Sequence, residues 1–338
     1  MRICIYGAGA VGAHLAARMF SSGFDVSVIA RGEHLAAIQR HGITLRAGEQ
    51  TITAKVRATS RAAELGPQDV VISTLKATGL PSLAKDIAPL LKDDTRVAFA
   101  LNGIPWWYGH GIQEPQSTPP ELSRLDPGGA LSRAVGLRRV LGGVVYSANE
   151  VVGPGIVVNR SHASNGMTIA EIDDRATTRA AELRAILSTS GLTSTPTDNI
   201  RKQIWLKLIQ NLAVSTLALL LEQPESRLSE PPMPEIYSRL WREARSVAQA
   251  VCGPLDIPMN PPPPPTMSHK PSMLQDYERH RPMEIDALIS MPVAFARAAG
   301  VATPTLDVIA ALAIRRAADR GLYVPEPLEF TGGAAAAR

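Results

Sequence analysis

Apolar residues are arranged in two ways along this chain. In the first part they form short continuous runs separated by turn residues. In the last part they recur at helical spacing over long stretches. Ile3-Cys4-Ile5-Tyr6 is a run of the first kind and predicts a buried strand. A glycine-rich turn follows at once, and the pattern over 13–22 predicts a helix. Further strands are predicted over 26–29, 51–58, 69–75, 96–101, 140–147, 155–159, 167–172 and 192–197. Helices are predicted between them over 80–91 and 175–190. This alternation implies an α/β fold with a parallel sheet and helices on both faces. From Asn199 the strand pattern stops. Long helical patterns take over at 200–221, 234–252, 272–279, 283–299 and 304–321. Two domains follow, 1–198 and 199–323, with an Ala-rich tail over 324–338 that is expected to be flexible.

The turn after the first strand reads Gly7-Ala8-Gly9-Ala10-Val11-Gly12. A GxGxxG between a strand and a helix is a dinucleotide-binding fingerprint. Gly7 permits the tight turn, Gly9 lets a pyrophosphate approach the backbone, and Gly12 lets helix and strand pack closely. The pyrophosphate then sits at the positive end of the helix. The second strand ends at Ala30-Arg31-Gly32, where an NAD site would place an acid for the ribose 2′-hydroxyl. A guanidinium there can grip a 2′-phosphate, which favours NADP(H); the competing reading is a surface arginine that merely ends a strand. Lys76, Asn102 and Gly103 lie at the carboxyl ends of two later strands, where ligands bind in such sheets.

Composition narrows the class. Hydrophobic residues make up 45% of 338, ample for a sizeable core. No apolar run is long enough to span a bilayer, and no charged-then-apolar leader precedes the first strand. The two cysteines, Cys4 and Cys252, have no metal or redox spacing; Cys4 reads as a small core residue. No metal site is expected, and a reducing cytoplasm is the natural compartment. A net charge of +4 without a Lys/Arg cluster argues against a nucleic-acid groove and is compatible with small anions. Nothing suggests membrane association. A homodimer is compatible with the sequence, though no feature fixes it.

Two segments stand apart. Residues 105–139 are rich in Pro, Gly and charge and read as an excursion from the sheet. Trp106-Trp107-Tyr108 at its start is either a hydrophobic plug or a lid. Pro258 to Pro265 reads as a stiff surface loop, with a partner-recognition motif as the competing reading.

Chemistry concentrates in the second domain. Lys207 and Asn211 are four apart on a strongly apolar helix and share a face, which Ser215 continues. A lysine within Ile204-Trp205-Leu206-Lys207-Leu208-Ile209 is costly to bury without a partner. Glu284 is the best candidate, since Pro282 marks a helix start and the dipole there favours a carboxylate. Against this stand a snorkelling surface lysine and a simple helix-start acid.

Taken together these segments resemble the ketopantoate reductases (2-dehydropantoate 2-reductases) over 1–321. The resemblance rests on the glycine turn, Arg31, Thr74-Leu75-Lys76, Asn102-Gly103, Ile204 to Asn211, Ser272-Met273-Leu274-Gln275-Asp276 and Glu284-Ile285-Asp286. It implies an N-terminal Rossmann-type domain, a helical C-terminal domain, and reduction of a 2-oxo acid by NADPH. On that resemblance Lys207 is the general acid and Glu284 the residue that orients it and helps hold substrate. Ser272 binds the substrate carboxylate, and Asn211 binds substrate. Lys76 and Asn102 line the nicotinamide and substrate side of the site. Ser215 stands where the family often has a second asparagine. Ile289-Ser290 stand where many members carry Asn-Gly. Both departures fall where the distal part of the substrate is expected.

The leading expectation is therefore reduction of ketopantoate to pantoate, in pantothenate biosynthesis. A reductase of another 2-oxo acid is the second. A non-catalytic NADP(H) sensor is the third, disfavoured because a buried ion pair has little structural justification of its own.

Overall fold

The computed structural model describes residues 1–113, 115–161, 165–266 and 268–326. Most of the Ala-rich tail lies outside the described residues. The chain forms two compact units, one of residues 1–101 and 126–200, the other of 102–125 and 201 onward. Residues 102–125, placed with the first domain from sequence, therefore belong by their contacts to the helical unit.

The first unit is built on a seven-stranded sheet. Its strands are β1 (Arg2–Tyr6), β2 (Asp25–Ile29), β5 (Arg57–Thr59), β6 (Val70–Ser73), β7 (Arg96–Ala100), β8 (Val140–Tyr146) and β11 (Gly166–Glu171). The spatial order is β11-β8-β7-β6-β1-β2-β5. All neighbours pair in parallel except β11, which runs antiparallel to β8 at the edge. Strand order reverses beside β1, so the glycine turn leaves the sheet at its topological switch point, where such sheets bind ligands.

A second sheet was not foreseen. Here β3 (Ile43–Ala47), β4 (Gln50–Ala54), β9 (Asn149–Gly153) and β10 (Ile156–Asn159) assemble in the order β4-β3-β10-β9. The strand predicted over 51–58 is thus two strands in two different sheets. The helix after the turn, α1 (Ala10–Ser21), touches β1 and β2 of the large sheet and all four strands of the small one. Seven of its residues from Gly12 to Met19 are buried, as expected of a helix covered on both sides. The next helix, α2 (Gly32–His41), follows β2. The predicted helix over 80–91 is α3 (Leu80–Asp86) followed by a 3₁₀ turn over Ala88–Leu90. Pro89 there has no N–H to continue the ladder. The unit is completed by α4 (Ala130–Val135) and α5 (Thr178–Thr189). The strand expected over 192–197 is only a single bridge between Gly166 and Thr193.

The second unit contains α6 (Ile200–Leu221), α7 (Met233–Cys252), α8 (Ser272–Glu278), α9 (Met291–Ala298) and α10 (Pro304–Asp319). By length and composition α6 could cross a membrane, contrary to the sequence reading. Arg201, Lys202 and Lys207 interrupt its apolar sequence. Two thirds of its most apolar window is buried within the protein.

The excursion after β7 packs as a plug. Trp106, Trp107 and Tyr108 are each at most 3% exposed. Trp205 on α6 donates to the Tyr108 hydroxyl at 2.8 Å, and Phe295 on α9 meets both rings edge-on. The buried Arg201 guanidinium lies over Trp107 and Tyr108 and donates to the carbonyls of Tyr108 and His110. Its charge is thereby met by oxygens and π-faces rather than left unsolvated.

Candidate active site

Two groups of predicted site residues occupy the two units. In the first, Gly7 has φ +105° and its N–H donates to Ile29 O, as does that of Ala8. Gly12 has no room for a side chain, since a Cβ would sit 1.9 Å from Gly7 O. At Gly9 the opposite holds: it is exposed, and a Cβ would meet nothing within 4 Å. Ala10 and Val11 open α1, whose N-cap, Gly9, offers no side-chain acceptor. The first-turn N–H groups of such a helix have no intrahelical partners. Open space above exposed N–H groups at the positive end of a helix suits a pyrophosphate, so these residues fit a dinucleotide.

Arg31 is the N-cap of α2, with a side chain 61% exposed. It donates to Ser82 Oγ at 3.3 Å and stands 3.8 Å from an Asp86 oxygen. Lys76 is half-buried just beyond β6, and Thr74 beside it donates from its hydroxyl to Gly7 O. The glycine turn is therefore held by the neighbouring strand end as well as by its own backbone.

In the second unit, Lys207 and Asn102 meet directly. The Lys207 ammonium donates to Asn102 Oδ1 at 2.7 Å. Lys207 is half-buried, and desolvation pushes it down to about 8 while the charge of Glu284 pulls the other way. Glu284 is buried, at 5% exposure. It stands immediately before a helical segment that starts at Ile285, so it precedes the first turn rather than lying within it as expected. Asn211 and Ser215 follow Lys207 along α6 by one and two turns, about 6 and 12 Å of rise; Asn211 is half-buried and Ser215 buried. Ser272 opens α8 and is half-buried. Lys207 thus has an amide oxygen as a hydrogen-bond partner and feels the negative charge of Glu284.

The helix predicted over 283–299 contains a π turn, Asp286–Ser290, before α9. Such turns leave the regular ladder and recur at functional sites. Here the carbonyl of Ala287 accepts the N–H of Ile104 at 2.8 Å. Gly103 between Asn102 and Ile104 has φ +74°, and a Cβ on it would lie 2.3 Å from Ala287 O. The segment carrying Asn102 is clipped to the helix that follows Glu284, so three chain segments converge on Lys207. Asp286 braces the same turn. It accepts from Arg124 at 3.2 Å and from the Tyr323 hydroxyl at 2.6 Å. Burial and this bond push Tyr323 up to about 12. Ser290, buried, lies 3.5 Å from the same hydroxyl, while Ile289 beside it is wholly buried.

Gly103→Ala is expected to destabilise the protein by about 1–3 kcal/mol, the cost of a left-handed conformation in a residue with a Cβ. The backbone clash leaves no easy relief. Urea unfolding at matched slopes measures this, and a wild-type midpoint would show that the loop can leave Ala287 without loss.

The fold and the glycine turn define a Rossmann-type NAD(P)-binding oxidoreductase. Residues 3–119 match the family described as ketopantoate reductase PanE/ApbA, and 199–317 match its C-terminal domain. The 2-dehydropantoate 2-reductase of Mesorhizobium japonicum is 39% identical over 339 residues, covering 96% of this chain and all of that one. A solved 2-dehydropantoate 2-reductase of Geobacter metallireducens GS-15 superposes with a TM-score of 0.78 at 25% identity, covering 93% and 99%. A ternary structure of D-mandelate dehydrogenase with NADH and anilino(oxo)acetate gives 0.77 at 25%, covering 96% and 100%. The chain belongs to the ketopantoate reductase family.

Proposed function

We propose that this protein reduces a 2-oxo acid with NADPH, ketopantoate to pantoate foremost, in pantothenate biosynthesis. The observation that carries the proposal is the Lys207 ammonium donating to Asn102 Oδ1, with the charge of buried Glu284 favouring its protonated form. Gly7, Ala8, Gly9, Ala10, Val11 and Gly12 would hold the pyrophosphate, Arg31 the 2′-phosphate, and Lys76 and Asn102 the nicotinamide side. A bound nicotinamide cofactor supplies the hydride to the carbonyl carbon. As the C=O π pair moves onto oxygen, Lys207 stabilises the developing charge and then gives that oxygen its proton. The products are a 2-hydroxy acid and oxidised cofactor. Glu284 keeps Lys207 charged against desolvation and helps hold substrate. Ser272 binds the carboxylate, and Asn211 and Ser215 bind the rest of the substrate.

A second reading, a reductase of a more apolar 2-oxo acid, is favoured by Ile289, a wholly buried apolar residue where the family resemblance implies an amide. It is also favoured by the likeness to a mandelate dehydrogenase. The test is kcat/KM for ketopantoate against 2-oxoisovalerate, which lacks the distal hydroxyl. A preference of ten-fold or more for ketopantoate is expected if polar groups still read that hydroxyl, because leaving them unpaired costs about 1–3 kcal/mol. Equal or better use of 2-oxoisovalerate overturns the pantoate assignment. Absence of turnover with any 2-oxo acid and either cofactor returns the chain to a binding protein.

A further inference from the structure

The glycine turn has a second anchor that lies outside its own motif. His34, in the first turns of α2, is half-buried. Its Nδ1 accepts the N–H of Gly155 at 3.0 Å, and its Nε2 lies 2.6 Å from Ala8 O. A backbone N–H can only donate, so Nδ1 is the bare nitrogen, and the neutral ring carries its proton on Nε2. The tautomer is therefore set by the Gly155 contact, and the Nε2–H donates to Ala8 O. Gly155 sits at the turn between β9 and β10 with φ +74°, and its own carbonyl accepts from Thr44 on β3. The small sheet thus fixes the ring, and the ring fixes the turn.

The consequence lies in the peptide that joins Ala8 to Gly9. In a planar trans peptide the C=O and N–H point in opposite directions. Holding Ala8 O toward His34 therefore aims Gly9 N–H away from it. Gly9 is the exposed residue with open space above it. The preceding peptide is pinned in the same manner: Gly7 O accepts from Thr74, and Ala8 N–H donates to Ile29 O. Two consecutive peptides are oriented from outside the motif before any ligand arrives. Such preorganisation improves binding because the ordering cost is met in the free protein.

We propose that His34 is a positioning residue for the dinucleotide, acting through the Ala8 carbonyl to aim Gly9 N–H at the pyrophosphate. It rests on the dinucleotide reading of the glycine turn. The ring touches no ligand in this account, so its effect belongs to cofactor affinity rather than to the chemical step.

The experiment compares wild type, His34→Ala and His34→Gln. Calorimetric titration with NADPH and NADP⁺, and with NADH for wild type, gives Kd, steady-state kinetics separate KM for cofactor from kcat, and melting without ligand reports folding. His34→Ala is expected to raise both Kd values roughly tenfold, the worth of one oriented hydrogen bond, with kcat at saturating cofactor changed far less. Glutamine keeps an N–H near the position of Nε2 but offers Gly155 no equivalent nitrogen. It is expected to bring Kd back to within about threefold of wild type. A lowered melting temperature with unchanged Kd in His34→Ala would make the residue merely structural and overturn the proposal. So would a glutamine variant that binds no better than alanine. A wild-type protein that binds neither NADPH nor NADH overturns the dinucleotide reading itself. Wild-type binding with an indifferent His34 overturns only the positioning role.

Discussion

Replacing Lys207 by alanine is expected to lower kcat for 2-oxo acid reduction by about 10²–10⁴-fold while leaving cofactor affinity nearly intact. The proton given to the product oxygen must come from a positioned acid, and Lys207 donates to Asn102 Oδ1 while the charge of Glu284 favours its ammonium form. Desolvation pushes Lys207 down to about 8, well below an ordinary lysine, and outweighs the opposing pull of Glu284. The sign follows directly. Reduction requires the ammonium, so kcat/KM for the oxo acid should be flat below pH 8 and fall above it. Oxidation of the hydroxy acid requires the free amine and should rise through the same range. Lys207→Arg is expected to fail almost as badly as alanine, since a guanidinium keeps the charge but does not surrender its proton. Glu284→Gln removes the force that holds the ammonium charged, so the falling limb should move to lower pH. A Lys207→Ala variant with near-normal turnover would remove lysine from the mechanism. An unmoved limb in Glu284→Gln would remove the coupling.

Much of this arrangement was legible in the sequence because its causes are local. The run Ile3 to Tyr6 and the glycines after it determine a strand, a turn and a helix within about twenty residues, and those elements form where expected. The apolar stripe of α6 likewise places Lys207, Asn211 and Ser215 by helical arithmetic alone. What was not legible depends on pairing between distant segments. The small sheet joins residues 43–54 to residues 149–159, and nothing in either stretch names the other. The sequence pattern marks neither β3 nor β9, and 51–58 reads as one strand where the chain changes sheet at Lys55-Val56. The π turn has a local contributor in Pro292, which lacks an N–H to continue the ladder, but the bond that clips it to a distant segment has the same long-range origin. Ile104 N–H takes the Ala287 carbonyl, a contact across more than 180 residues that no helical period encodes. The aromatic triplet could have been a plug or a lid by composition. Arg201 and Trp205, far along the chain, decide for the plug by bonding Tyr108. His34 carries no sequence signal beyond its place three residues after Arg31, since both its partners are backbone groups.

Charge reversal at Arg31 has the second large expected effect. The proposed preference for NADPH rests on this residue, because NADH and NADPH differ only in the 2′-phosphate that it would meet. Arg31 extends from the N-cap of α2 and is mostly exposed, so it carries little structural duty. Its contacts with Ser82 and Asp86 steady the guanidinium but leave donors to spare. Arg31→Asp exchanges charge-assisted hydrogen bonds for repulsion of a group bearing nearly two negative charges. NADPH affinity should fall by about 10²-fold, a few kcal/mol, while NADH affinity stays within a few-fold or improves, as an acid there can accept from a 2′-hydroxyl. Asp86 acts in the opposite sense. Its carboxylate competes with the phosphate for the same guanidinium, so Asp86→Asn should tighten NADPH several-fold and leave NADH alone. Raising salt should weaken NADPH more than NADH in wild type and erase that difference in Arg31→Asp, since the discriminating interaction is an exposed charge pair. Calorimetric titration of both cofactors into the three proteins measures all of this. Equal wild-type affinity for NADH and NADPH would show that Arg31 reads no phosphate, and the arginine would then be only the cap of α2.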